Sequence, residues 1–274
     1  LGFTLMHEHV MVAPSWLTTH YPDLLGPNRE QRAIECLKTA KAHGIDTMLD
    51  ATTFDLGRDP ALLKMVAEAS GVNLINVTGW WLDVPRFMQG VGANQMADEF
   101  IKDLTEGFRG TNIKAGMLKC AADFEGVTPP LETMARAVAR AHLQTGVPIM
   151  VHSYPTGQVA RRQIAIFKEE GVDLGKVKID HNNDTTDTEY LKWILDQGCF
   201  LGLDRYPGRL VSPHMRTVTL KKLIDMGYGE RLCPSHDCIC LHIHNEQTDG
   251  TIAEEHDFHT VSYTHLTLPT NREV

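Results

Sequence analysis

The sequence predicts a closed α/β barrel, eight parallel strands ringed by helices in the (β/α)8 TIM-barrel arrangement, on three observations. Short apolar runs of strand character alternate with longer segments of helical period along most of the chain. Glycine stands just past the last turn of most helical segments, where it takes the left-handed cap conformation without steric cost. Nearly every strand candidate ends in a polar or ionisable residue, and these ends come from the whole chain. An open doubly wound sheet would concentrate its site at one switch point, whereas a barrel gathers all its strand ends around one mouth. The length of 274 residues suits a single barrel domain over residues 1–274, since such barrels take about 250 residues.

The strand candidates, in order, are Phe3–Val10, Thr47–Thr52, Leu74–Gly79, Gly116–Ala121, Pro148–Ser153, Val177–Asn182, Cys199–Arg205 and Leu232–Asp237. Between them the apolar residues recur at helical spacing over Arg29–His43, Pro60–Ser70, Gln95–Phe108, Leu131–Thr145, Gly157–Glu170, Thr186–Gln197 and Met215–Met226. The closing glycines are Gly44, Gly71, Gly146, Gly171, Gly198 and Gly227. After Asp237 the chain turns polar and histidine-rich, and Thr264–Val274 offers no closing helix. The expectation is therefore a barrel truncated at its C-terminus, or one carrying a foreign tail, with part of its sheet uncovered. The start at Leu1, directly before a strand, suggests that an N-terminal piece is missing.

Composition narrows the function classes. The formal net charge of −9 is scattered, and no lysine and arginine run marks a nucleic-acid or membrane patch. No apolar stretch approaches the roughly 18 to 20 residues that a membrane helix needs. Six cysteines form neither a CxxC pair nor a disulfide scaffold, so reduced thiols and a cytoplasmic location are expected. The expected partner is a small-molecule substrate.

Histidine is the unusual residue, with 14 copies, and position matters more than number. His7 and His9 in TLMHEHV stand two apart on a strand, so both face the same side of the sheet. Two inward imidazoles on one strand suit a zinc-like metal, and a hydrogen-bonded pair of core histidines is the alternative. His242 and His244 repeat the spacing in a polar loop, where no pleat aligns them, and are read as chance. His152 ends the fifth strand (PIMVHS), His181 the sixth (VKIDHN) and Asp237 the eighth (CPSHD). Four histidines and a carboxylate at one mouth would each cost kilocalories if left unpartnered, and a metal cluster satisfies them together.

Lys119, in AGMLKCAAD, points into the same space. Among metal ligands its charged form is disfavoured, and the neutral amine could take up carbon dioxide to give a carbamate able to bridge two metals. A simple ion pair with Asp123 stays open, and on residue chemistry alone it is the simpler reading.

The stretches TLMHEHV, AGMLKCAAD, PIMVHS, VKIDHNNDTTD, GLDRYPG and SHD, in that order, resemble the phosphotriesterase-like family of the amidohydrolase superfamily, and its lactonase-like branch in particular. The resemblance implies a (β/α)8 barrel and two divalent metal ions, zinc first, with iron, cobalt or manganese also suited. It assigns His7, His9 and Asp237 to the more buried metal and His152 and His181 to the more exposed one, with carboxylated Lys119 and a hydroxide spanning both. It also suggests a homodimer. Two metals sharing a water supply hydroxide at neutral pH, and Asp237 is placed to take its proton, with His181 and Asp184 as relay partners.

The machinery serves esters, lactones, amides and phosphotriesters alike. GWWLDVPRFM supplies Trp80, Trp81, Pro85, Phe87 and Met88 as an apolar wall, or as ordinary loop packing. GLDRYPG brings Asp204, Arg205 and Tyr206 to the mouth, similar to lactonase-like members that frame a lactone with arginine and an aromatic; a structural Asp204–Arg205 ion pair is the alternative. Where those members carry a tyrosine near the metals, this chain has Trp81. The expected activity is hydrolysis of a lactone or carboxylic ester with an apolar tail, with weak phosphotriesterase activity of the aryldialkylphosphatase kind. The alternatives are a phosphotriesterase-related amide hydrolase, a one-metal deaminase-type amidohydrolase and an inactive metal-binding relative.

Overall fold

The computed structural model describes residues 1–206, 208 and 210–241. Within them the chain alternates strand and helix. β1 (Thr4–Met11) is followed by the short α1 (Ser15–His20) and by α2 (Arg29–Ala42). The series continues with β2 (Thr47–Asp50), α3 (Pro60–Ser70), β3 (Asn73–Gly79), α4 (Ala93–Thr105), β4 (Met117–Ala121) and α5 (Pro129–Thr145). It ends with β5 (Ile149–His152), α6 (Ala160–Glu170), β6 (Val177–Ile179), α7 (Thr188–Asp196), β7 (Phe200–Leu203), α8 (Pro213–Asp225), β8 (Leu232–Pro234) and β9 (Ile239–Leu241). All pairings are parallel, in the order β8-β7-β6-β5-β4-β3-β2-β1-β9.

The last ten described residues close the barrel. β8 pairs with β7 and β9 pairs with β1, and between them Asp237 N donates to His7 O (3.1 Å) and His9 N to Cys238 O (2.7 Å). The single eighth strand expected over Leu232–Asp237 is thus two short ladders joined by a turn. The sixth and seventh strands are also shorter than expected, because their last polar residues leave the ladder to bond across the mouth. His242, His244 and the expected tail lie outside the described residues.

The helices form for the reasons their spacing implied. In α5 the buried residues Leu131, Met134, Ala135, Val138, Ala139 and His142 follow the i, i+3, i+4, i+7 rule, and Gly146 caps the end with φ +72°. The outer core lies between sheet and helices. Inside the barrel Leu49, Ala51, Val77, Met117 and Met150 form a separate apolar layer. Met117 and Met150 stand two residues before Lys119 and His152, so this layer is the floor on which the polar site rests.

The six cysteines are unpaired, and no helix among the described residues is long and apolar enough to cross a membrane.

Candidate metal centre and active site

β1 sends His7 and His9 inward and Glu8 outward, as its pleat requires. His7, His9, Lys119, His152 and His181 are all buried, and Asp237 is partly so. Neighbouring rings stand close: the centroids of His7 and His9 are 5.6 Å apart, those of His7 and His181 4.8 Å, and those of His152 and His181 4.3 Å. Asp237 Oδ1 lies 3.4 Å from His7 Nε2 and 3.3 Å from His9 Nε2. On the other flank His181 Nε2 lies 2.7 Å from His152 Nδ1. The six residues expected to meet from five strand segments are therefore together at one end of the barrel.

Two of them sit on unusual backbone. His181 has φ +65° and Asp237 φ +56°, the left-handed region that few side chains adopt. His181 is held there by its own amide, which donates to Asp204 Oδ1 at 2.7 Å.

Lys119 Nζ donates to the carbonyl of Ala51 at 2.8 Å, and no carboxylate among the described residues lies within ion-pair distance of it. Asp123, the partner that the sequence offered, pairs instead with His152 Nε2 at 3.1 Å. Burial pushes the lysine below its ordinary pKa, which favours the neutral amine. Gly79, with φ +122°, packs directly on the Lys119 carbonyl, where a Cβ would stand 1.8 Å from the oxygen.

Residues beneath the histidines complete the site, and the sequence reading gave them too little weight. Asp180 and Asp204 are fully buried and lie 3.1 and 2.8 Å from His7 Nδ1, while Asp204 also reaches His181 Nδ1 at 3.2 Å. Gly202 makes the room: a Cβ there would fall 2.2 Å from Asp180 Oδ1 and 3.1 Å from Asp204 Oδ2. Burial and Lys119 oppose a charge on His7, but Asp180, Asp204 and Asp237 outweigh them and raise it to about 9. Burial, then the neighbouring His181, lowers His152 to about 3. Burial works against ionising Asp237, yet His7, His9 and His181 hold it well below the usual carboxylate range.

The loop residues divide. Arg205 donates from Nε to Asp237 Oδ2 (3.0 Å) and from Nη1 to Asp184 Oδ2 (2.7 Å), so the Asp204–Arg205 ion pair is not formed. Buried Arg216 donates to the other oxygen of Asp184 at 2.7 Å. Tyr206 was expected at the mouth; it packs instead in the apolar core with residues of α2 and β9, at 2% exposure. The expected aromatic wall splits between its two tryptophans. Trp81 Nε1 donates to His152 Nδ1 at 3.2 Å, whereas Trp80, Phe87 and Met88 line a separate cavity of about 510 Å³ with α4 residues Met96 and Phe100. Asp55 produces the split by accepting the amides of Trp81 (3.0 Å) and Asp83 (3.2 Å).

The donor set fits cations. Ligand atoms of His7, His181 and Asp237 lie within 4.8 Å of one another, as do those of His7, Asp180 and Asp204. His7 Nδ1, Asp180 Oδ2 and Asp204 Oδ2 are close in space but too poorly aligned for hydrogen bonds. Imidazole and carboxylate donors in this number suit zinc and its first-row neighbours.

Fold and cluster together define an α/β barrel that carries a candidate metal-binding group at its strand ends. A sequence model of the phosphotriesterase family matches residues 1–267. The chain is 40% identical over 244 residues to an aryldialkylphosphatase of Saccharolobus solfataricus, covering 88% of this chain and 78% of that protein. It is 36% identical over 277 residues to a phosphotriesterase homology protein of Mycobacterium tuberculosis (90% and 85% covered). An N-acetyltaurine hydrolase of Dictyostelium discoideum is 31% identical over 229 residues (78% and 62% covered). The chain belongs to the phosphotriesterase family.

Proposed function

We propose that this hydrolase cleaves carboxylic esters or lactones with an apolar acyl portion, using two divalent cations and turning over phosphotriesters as a side reaction. The observation that carries the reading is the convergence of four imidazoles and Asp237 beside a buried lysine that has no carboxylate partner among the described residues. Two cations bound there would lower the pKa of a captured water until hydroxide is present at neutral pH, and would withdraw charge from the scissile oxygen.

The chain's own residues do the rest. His7, His9 and Asp237 would hold one cation, and His152 and His181 the other. The neutral Lys119 amine would add to carbon dioxide, forming an N–C bond and releasing one proton, and the resulting carbamate would supply anionic oxygens to the cations. Asp237, ionised by its neighbours, accepts the proton of the attacking water. Arg205 fixes the orientation of that carboxylate through Oδ2 and leaves Oδ1 facing the histidines. Trp81 closes the side of the site at His152, and the cavity beside Trp80 offers apolar surface for a chain that runs outward.

A second reading, amide hydrolysis, is favoured by the 31% identical N-acetyltaurine hydrolase. Matched lactones, 4-nitrophenyl esters, N-acyl amino sulfonates and phosphotriesters, assayed with zinc or cobalt content measured on the same sample, separate the two. The ester reading requires about two metals per chain and the highest kcat/KM on lactones or esters. One metal per chain, or the highest kcat/KM on the amides, would overturn it.

A further inference from the structure

We propose that Glu8, the residue between the two inward histidines of β1, is a positioning residue that sets Asp237 in its working place. The pleat turns Glu8 away from the barrel interior, yet its side chain is wholly buried at 0% exposure. There it accepts four hydrogen bonds, all from the turn that carries Asp237. Oε1 takes Ser235 Oγ at 2.6 Å, His236 N at 2.9 Å and His236 Nδ1 at 3.1 Å, and Oε2 takes Cys238 N at 2.8 Å.

That turn needs an outside support. β8 ends at Pro234 and β9 begins at Ile239, so residues 235–238 belong to neither strand. Asp237 takes φ +56°, a conformation that the turn must be compelled to keep. Glu8 binds the residues on both sides of it and so adds to the two backbone bonds that join this turn to β1. The neighbouring bonds reinforce the frame: His7 N donates to Ser235 Oγ at 3.2 Å, and Asp237 N donates to His7 O at 3.1 Å.

The geometry also explains why the support comes from this residue. His7, Glu8 and His9 are consecutive on one strand, so whatever fixes the turn to Glu8 also fixes it to the two imidazoles. The gaps of 3.4 and 3.3 Å between Asp237 Oδ1 and the two histidine Nε2 atoms are therefore set by one rigid element. Buried carboxylates that accept several hydrogen bonds are suited to such fixing, because losing an acceptor strands buried donors.

The kinetic consequence rests on the proposed role of Asp237, but the placement can be read without it. In Glu8→Gln one acceptor becomes an NH2 group facing a donor. Amide hydrogen exchange in the metal-free protein should quicken tenfold or more at His236, Asp237 and Cys238, with the amides of β4 and β5 unchanged. Cobalt binding, followed by its visible absorption, should weaken tenfold or more, and kcat on a 4-nitrophenyl ester should fall at least tenfold with KM within twofold. Adding Glu8→Gln to Asp237→Asn should then cost nothing further in cobalt affinity. Ser235→Ala, which removes one of the four bonds to Glu8 together with the His7 N bond to Ser235 Oγ, should show the same pattern at smaller size and serves if Glu8→Gln does not fold. Unchanged exchange at Asp237, or a cobalt effect that adds to that of Asp237→Asn, would overturn the inference. Wild-type protein that binds no cobalt would overturn the metal-hydrolase reading instead, leaving the exchange pattern to decide on Glu8.

Discussion

His7 and His152 are buried imidazoles at the same barrel mouth, yet they are driven to opposite ends of the histidine range, to about 9 and about 3. Burial lowers both. The difference lies beneath them: His7 stands over Asp180 and Asp204 and beside Asp237, whereas His152 faces another histidine and the indole N–H of Trp81. His7 is thus surrounded by carboxylates, whereas among the described residues Asp123 is the one carboxylate within ion-pair distance of His152. Residue type alone therefore says little about charge here; the placement of three aspartates decides it. If two cations bind as proposed, charge of that kind would favour tighter holding beside His7 than beside His152.

The largest effect is expected where the flanks meet. Asp237→Asn removes the carboxylate shared by His7, His9 and Arg205, and kcat should fall by about 10²–10⁴-fold, the usual range for a lost general base. A fall of less than tenfold would mean that the flanks do not act through Asp237. Lys119→Ala should come next, with loss of metal and activity and partial recovery on adding short carboxylates. Full activity in the unsupplemented variant would refute the bridging role.

Asp204→Asn attacks the contrast itself. It takes a charge from His7 and from His181, so the His7 imidazole should titrate closer to its ordinary range in the metal-free protein, as read by NMR. Metal affinity should weaken by about 10–100-fold, as for other outer partners of ligating histidines. An unmoved His7 titration would show that Asp180 and Asp237 suffice.

The same contrast predicts how metal-free protein responds to pH. The raised His7 contributes stability in full below about 6.5 and loses it as pH rises through about 9. The lowered His152 contributes above about 6.5 and loses it as pH falls through about 3. Together they predict a thermal midpoint that peaks near pH 6.5 and declines on both sides, checked by calorimetry across that range. The smallest effect should be that of Trp81→Phe, which removes one N–H from His152. A cost of about 1 kcal/mol or less in stability and a modest rise in the His152 pKa are expected.

Much of this molecule was legible as pattern. The strand–helix alternation, the glycine caps and the inward pairing of His7 and His9 follow from periods of 3.6 and 2, which a chain displays without folding. Asp204 and Glu8 were less legible. Asp204 read as a residue of the mouth, with an ion pair to Arg205 as the alternative, but in the barrel it turns down to His7 and His181. Glu8 could have been singled out by one signal: a carboxylate on the outward face of a strand whose inward face carries ligands. Tyr206 misled because a residue next to Arg205 in sequence need not share its direction.

By itself the sequence determined the barrel, the order of its elements and which strand ends carry imidazole, lysine and carboxylate, because these depend on neighbours a few residues apart. Closure of the barrel decided the rest: the carboxylates under His7, the isolation of Lys119 from Asp123, the divergence of Trp80 and Trp81 and the grip of Glu8 on the Asp237 turn. Each of these joins residues far apart in the chain, and such distances exist only once parallel strands have been brought round to meet β1.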